Sequence, residues 1–143
     1  MSDLEIAKSE LYEENLTLVI VKNGVVLFET KTHRISGFLE AVEQLGSKLE
    51  AASLADKVAG KAIALLCAYA KIREVYAVVL SRKAQAIFKA NKIAYQWRDL
   101  VDNVLDANKT GMCPIEKAAA NITDPEKAYQ AFKSLWENMK TCK

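Results

Sequence analysis

The sequence predicts a three-layer α/β/α sandwich around a mixed sheet of about four strands, and three observations carry this. "LTLVIVKNGVVLFET", residues 16–30, sets two β-branched, apolar runs on either side of Asn23-Gly24. Asn-Gly tolerates the positive φ angles of a type I′ turn, so the stretch reads as an antiparallel hairpin. "VYAVVL", residues 75–80, is a continuous apolar run of the kind buried on both faces of a parallel sheet. A helical pattern at 82–91 and a second strand-like run at 93–97, "IAYQW", complete a βαβ unit, for which a right-handed crossover is expected.

The remaining elements follow in chain order. Residues 3–14 place Leu4, Ala7, Leu11 and Tyr12 on one helical face. Both hairpin strands are apolar enough to be covered on either side. "SGFLEAVEQL", residues 36–45, turns Phe38, Leu39, Val42 and Leu45 to one side, and Gly46 is a plausible stop. "DKVAGKAIALLCAYA", residues 56–70, carries almost nothing polar after Lys61 and reads as one helix buried nearly all round, with Asp56 as its N-cap. In the helix at 82–91, Ala86, Ile87 and Ala90 are expected to face inward. Helices are then expected at 99–106, 114–120 and 124–139. In the last, Thr123 or Asp124 caps and Pro125 sits in the first turn. Tyr129, Phe132, Leu135, Trp136 and Met139 share one broad face there, expected to pack on the sheet.

Bulk properties exclude several classes. A chain of 143 residues suits a single domain with one core. A formal charge of +2, with dispersed lysines and no base-reading module, does not point to nucleic acid. The acidic, amphipathic N-terminus lacks the basic start and apolar run of a signal peptide. The longest apolar stretch, within 62–70, is only about half a membrane span. A cytoplasmic protein without membrane association is expected. Three widely spaced cysteines, Cys67, Cys113 and Cys142, make no disulfide framework. Cys67 reads as a small buried residue.

Four pieces, "LTLVIVKNGVVLFE", "ADKVAGKAIALL", "EVYAVVLS" and "TGMCPIE", resemble in content and order a prokaryotic domain-of-unknown-function family assigned to the cytidine-deaminase-like fold. The resemblance covers residues 16 to about 120. It implies a single domain: an N-terminal helix (1–14), a deaminase-like core (15–98) and C-terminal helices (99–143). Deaminases of this fold hold zinc at two helix starts, one carrying His-x-Glu or Cys-x-Glu and the other Pro-Cys-x-x-Cys, with the glutamate moving protons. Here the corresponding stretches are "DKVAGKA" and "LSRKAQA", which contain neither histidine nor cysteine. The only histidine, His33, follows the hairpin and has no glutamate two residues on. No metal and no cofactor is therefore expected.

Both helix starts should face a common pocket at the carboxyl ends of the strands, where N–H groups and partial positive charge suit anions. Asp56, Lys57, Gly60, Ser81 and Lys83 are the candidate ligand-binding residues, with Arg82 beside them. Lys61 is an isolated charge next to Gly60, which permits close approach of a ligand. Its other reading is a lysine that snorkels to solvent or pairs with an acid. "GKA" is no phosphate-binding loop, because Ala62 stands where Ser or Thr is required. In "TGMCPIEK", residues 110–117, Cys113 as N-cap, Pro114 at the first helical position and Glu116 reaching back make a complete helix start. The same geometry lowers a thiol's pKa, so the alternative is a reactive Cys113 with Glu116 or Lys61 as proton partner.

Two classes of function remain. One is a zinc-free deaminase-like domain that binds a nucleotide or other small anion near Lys61, with Cys113 as a possible nucleophile. The other is a non-catalytic sensor, or a protein that works through a helical surface, where a homodimer is possible.

Overall fold

The computed structural model describes residues 2–32, 35–102 and 118–141. Helix α1, Asp3–Glu13, is capped by Ser2, whose hydroxyl accepts from the Glu5 N–H at 3.2 Å. Leu4, Ala7 and Leu11 are buried, whereas Tyr12 stays 47% exposed. Strands β1 (Leu18–Lys22) and β2 (Val25–Thr30) pair antiparallel, with a register shift between Ile20 and Val21. Asn23 and Gly24 both have positive φ, 53° and 76°, as a type I′ turn demands. The Asp3 carboxylate accepts from both turn N–H groups at 2.9 Å, tying α1 to the hairpin tip.

Of the two hairpin strands only β1 is covered on both faces. β2 is an edge strand, and Val25 at 58% and Val26 at 36% remain exposed, against the expectation for the hairpin. Helix α2 (Ser36–Leu45) follows, with Phe38, Leu39 and Val42 buried. Gly37 lies against β2 so closely that a Cβ there would meet the Thr30 methyl at 2.7 Å. A 3-10 turn, Gly46–Leu49, leads on.

The largest departure from expectation is residues 56–70. The stretch is a strand and a helix, not one helix: β3 is Ser53–Ala59 and α3 is Lys61–Ala70, with Gly60 as N-cap. The apolar run crosses both elements without a break, because β3 is internal to the sheet and its apolar character gives no period-2 signal. Asp56 is thus a strand residue rather than a helix cap. β4 (Glu74–Ser81), α4 (Arg82–Ala90) and β5 (Ala94–Val101) complete two successive βαβ units. In α4 the buried residues are Ala84 and Phe88, with Ile87 packed beside them. Ala86 and Ala90 are exposed, so the inward face is rotated from the expected one. Residues 99–101 continue β5 instead of starting a helix. Of the expected helix 114–120, residues 118 and 119 are helical and 114–117 lie outside the described residues. Helix α5 is Pro125–Thr141, and the Asp124 carboxylate accepts from the Glu126 N–H at 3.2 Å.

Among the described residues the sheet has five strands in the order β2-β1-β3-β4-β5, antiparallel across β2-β1-β3 and parallel across β3-β4-β5. α1 packs on one face, over Val19, Val21, Ala55 and Tyr76. α2, α3, α4 and α5 cover the other, around Leu54, Leu65, Leu66, Leu80 and Phe88. α5 reaches the core by packing on α3 and α2 rather than on the sheet, with Phe132 fully buried and Tyr129, Leu135 and Trp136 partly so. Burying a side chain such as Phe132 contributes about 1.5–3 kcal/mol. No helix among the described residues is long and apolar enough to cross a membrane.

Candidate site at the starts of α3 and α4

β3 and β4 run side by side and end together, Ala59 opposite Leu80, so α3 and α4 begin next to each other at one sheet edge. The two starts are built differently. Ser81 is fully buried and its hydroxyl accepts from the Ala84 N–H at 3.0 Å, which commits it to capping α4. The α3 start has Gly60, which has no side chain to cap with, as N-cap, and the Ala64 N–H donates to the Gly60 carbonyl at 3.0 Å.

Lys61, the first residue of α3, is half-buried and its ammonium donates to the Ala120 carbonyl at 3.0 Å. That bond brings the chain following the helical residues 118 and 119 onto the α3 start. Arg82 is exposed and bonds Asp102 at 2.9 Å through Nε, while Lys83 is exposed beside it. Lys61, Gly60, Ser81 and Lys83 thus gather at one edge. Lys57 does not join them. It points to the α1 face, where its ammonium donates to Asn15 Oδ1 at 3.0 Å, because alternation along β3 sends it away from α3.

Asp56 lies inside the fold on β3, 8% exposed, beneath α3 rather than at its start. Its carboxylate accepts from the Val58 N–H at 3.2 Å. Burial pushes its pKa up to about 7, against the downward pull of the Val58 and Lys57 N–H groups. Cys67 on α3 is fully buried, and its thiol is held well above the usual range by burial and then by the Asp56 charge. This thiol is protonated and unreactive at neutral pH. Cys113, Glu116 and His33 lie outside the described residues.

The fold's zinc chemistry does not fit the donor set here. Gly60-Lys61-Ala62 and Ser81-Arg82-Lys83-Ala84 offer cationic side chains where a cation would need thiolates or imidazoles. Among the described residues no three His, Cys, Asp or Glu side chains group to hold a metal.

A second feature escaped sequence reasoning. α2, the 3-10 turn, α3 and α5 flank a solvent-open cavity of about 670 Å³ at the far end of α3. Its walls combine residues as far apart in the chain as Val42 and Glu137, joined by the stacked pair Tyr69–Tyr129 at 4.5 Å and the Lys133–Glu43 ion pair at 3.5 Å. A shared aromatic face on α5 was the one hint available.

Comparison with known proteins agrees with this architecture. A dCMP deaminase from the cyanophage S-TIM5, in apo form, superposes with a TM-score of 0.52 at 11% identity, covering 65% of this chain and 97% of that one. A DUF1893 family protein (TM1506) from Thermotoga maritima superposes with a TM-score of 0.86 at 24% identity, covering 94% of this chain and 90% of that one. No curated protein sequence matches. The family described as "TM1506: Domain of unknown function (DUF1893)" matches residues 6–135. The chain, with its deaminase-like fold, belongs to the DUF1893 family.

Proposed function

We propose that this protein binds a small anionic metabolite, a nucleotide or another phosphate- or carboxylate-bearing molecule, at the paired starts of α3 and α4. One observation supports this above the others. Two parallel strands deliver two adjacent helix starts to one sheet edge, and the side chains there are Lys61, Arg82 and Lys83. Helix N-termini and ammonium groups favour anions together, and ligands of open α/β sheets bind at the carboxyl ends of strands. Lys61 is the principal contact, with Lys83 at the rim. Ser81 acts through the cap it makes, and Gly60 leaves room for close approach. Asp56 stays buried on β3 beneath α3, and Lys57 serves the opposite face.

Cys113 is the candidate nucleophile of the same site, with Glu116 or Lys61 as proton partner. The screen that tests the binding is a thermal-shift series with nucleotides and phosphorylated metabolites, because ligands of the native state raise Tm by mass action. Stabilisation by at least one anion, lost in Lys61→Met, is expected. A blank screen together with a dimer in solution would instead favour a non-catalytic interaction protein. For the thiol, faster titration of Cys113 than of a model thiol at pH about 7 is expected, and an equal rate removes the nucleophile.

A further inference from the structure

The cavity at the far end of α3 is independent of the strand-end site and opposite in character. Its walls include Glu43 on α2, Glu50 after the 3-10 turn, Tyr69 at the end of α3, and Tyr129, Lys133 and Glu137 along one face of α5. Three carboxylates thus line it, Glu43 paired with Lys133 and Glu50 with Lys71, each at 3.5 Å. α2 and α3 both end there, at Gly46 and Ala70, and a helix C-terminus carries partial negative charge. The volume, about 670 Å³, is that of a small-molecule pocket.

The protein already places a cation in this setting. The Lys133 ammonium lies 5.9 Å from the Tyr129 ring centroid and 3.5 Å from the Glu43 carboxylate. The other partner of Tyr129 is the Tyr69 ring, stacked at 4.5 Å and nearly parallel, 11° between planes. An aromatic face, a carboxylate and two helix ends are together the chemistry that recognises an alkylammonium group. Tyr129 and then Glu43 raise the Lys133 pKa. Burial raises that of Tyr129, Lys133 pulls it down, and Glu43 adds a smaller upward push. Glu50, also among the lining residues, holds Lys71 at 3.5 Å in the same way, a second carboxylate already matched to an ammonium.

We propose that the cavity between α2, α3 and α5 is a binding site for an aliphatic di- or polyamine. One ammonium of the ligand takes the place of Lys133 against Tyr129 and Glu43, and the other reaches Glu50. Lys133 is then an internal competitor that holds the site in its absence.

The test is a titration of the full chain with 1,4-diaminobutane, followed by NMR shifts of the Tyr69 and Tyr129 ring protons. Succinate and 1,4-butanediol serve as anionic and neutral controls. Saturable shifts with the diamine alone are expected. Glu43→Gln and Tyr129→Leu should each weaken binding about tenfold, the scale of losing one charge-assisted or cation–π contact in a partly desolvated site. Lys133→Met should tighten binding severalfold, a gain that a merely structural lysine would not give. Its folding is checked by unchanged amide spectra, and the exposed pair it removes contributes little to stability. No shift up to about 10 mM diamine, where even millimolar affinity would saturate, overturns the proposal. So does binding that Glu43→Gln leaves unchanged, or saturation by succinate instead.

Discussion

The two ends of helix α3 invite comparison. At its start stand Lys61 and, on the neighbouring helix, Arg82 and Lys83. At its finish stand Glu43, Glu50 and Glu137, with two tyrosines. Each set of charges has the same sign as the helix end it surrounds, positive at the N-terminus and negative at the C-terminus. Such charges do not stabilise the helix. Counter-charges would do that, and among the described residues Lys71, on Glu50 at 3.5 Å, and Lys133, on Glu43, are the cations bonded near the finish. The two proposed ligands, an anion at one end and a cation at the other, would supply the counter-charges that this helix lacks. The apolar middle, Ala62 to Cys67, keeps them apart.

Asp56 is the sharpest way to disturb this arrangement, because it lies beneath the middle of α3. Its folded-state pKa of about 7 lies well above the ordinary carboxyl value of 3.8. A raised carboxyl pKa contributes stability that is complete below the unfolded value and is lost as pH climbs through the folded one. Stability should therefore fall between pH about 4 and 7, by up to about 4 kcal/mol at 1.36 kcal/mol per unit. Asp56→Asn should flatten that slope in urea melts across the window, and a slope unchanged in the variant would refute the assignment. Leu65→Ala, a fully buried site on α3, should cost about 2–5 kcal/mol and weaken both ends together. Loss at one end only would show that the helix does not connect them. Lys61→Met separates the ends in the other direction. It should reduce anion-dependent stabilisation about tenfold, near 1.4 kcal/mol, while leaving diamine shifts intact. The smallest change is Lys71→Gly. Lys71 closes α3 in the left-handed region at φ 60°, so glycine should raise stability by about 0.5 kcal/mol, less the weak bridge to Glu50. A fall in Tm would show that the bridge outweighs the backbone strain.

Much of this fold was legible where a residue has a unique conformational meaning. Asn23-Gly24 fixed the hairpin, and the run at 75–80 with its following helix fixed one βαβ unit. β3 was not legible, since a central strand buried on both faces merges in sequence with the apolar helix that follows, and Gly60 is the only punctuation between them. The α4 face was misjudged because Phe88 and Ala84, four apart, are as consistent with a helix as the alanines chosen. Lys61 and Ser81 could be placed because helix starts follow strands in the chain. The cavity could not, because its walls meet only after three helices pack.

The bond pair from Asp3 to the hairpin turn has a use in solution. The N–H groups of Asn23 and Gly24 point to a carboxylate twenty or so residues earlier, on a different element. Their hydrogen-exchange rates therefore report whether α1 is seated. Undocking of that helix, which alone covers its face of the sheet among the described residues, would be read at the far tip of the hairpin before any strand pairing is lost.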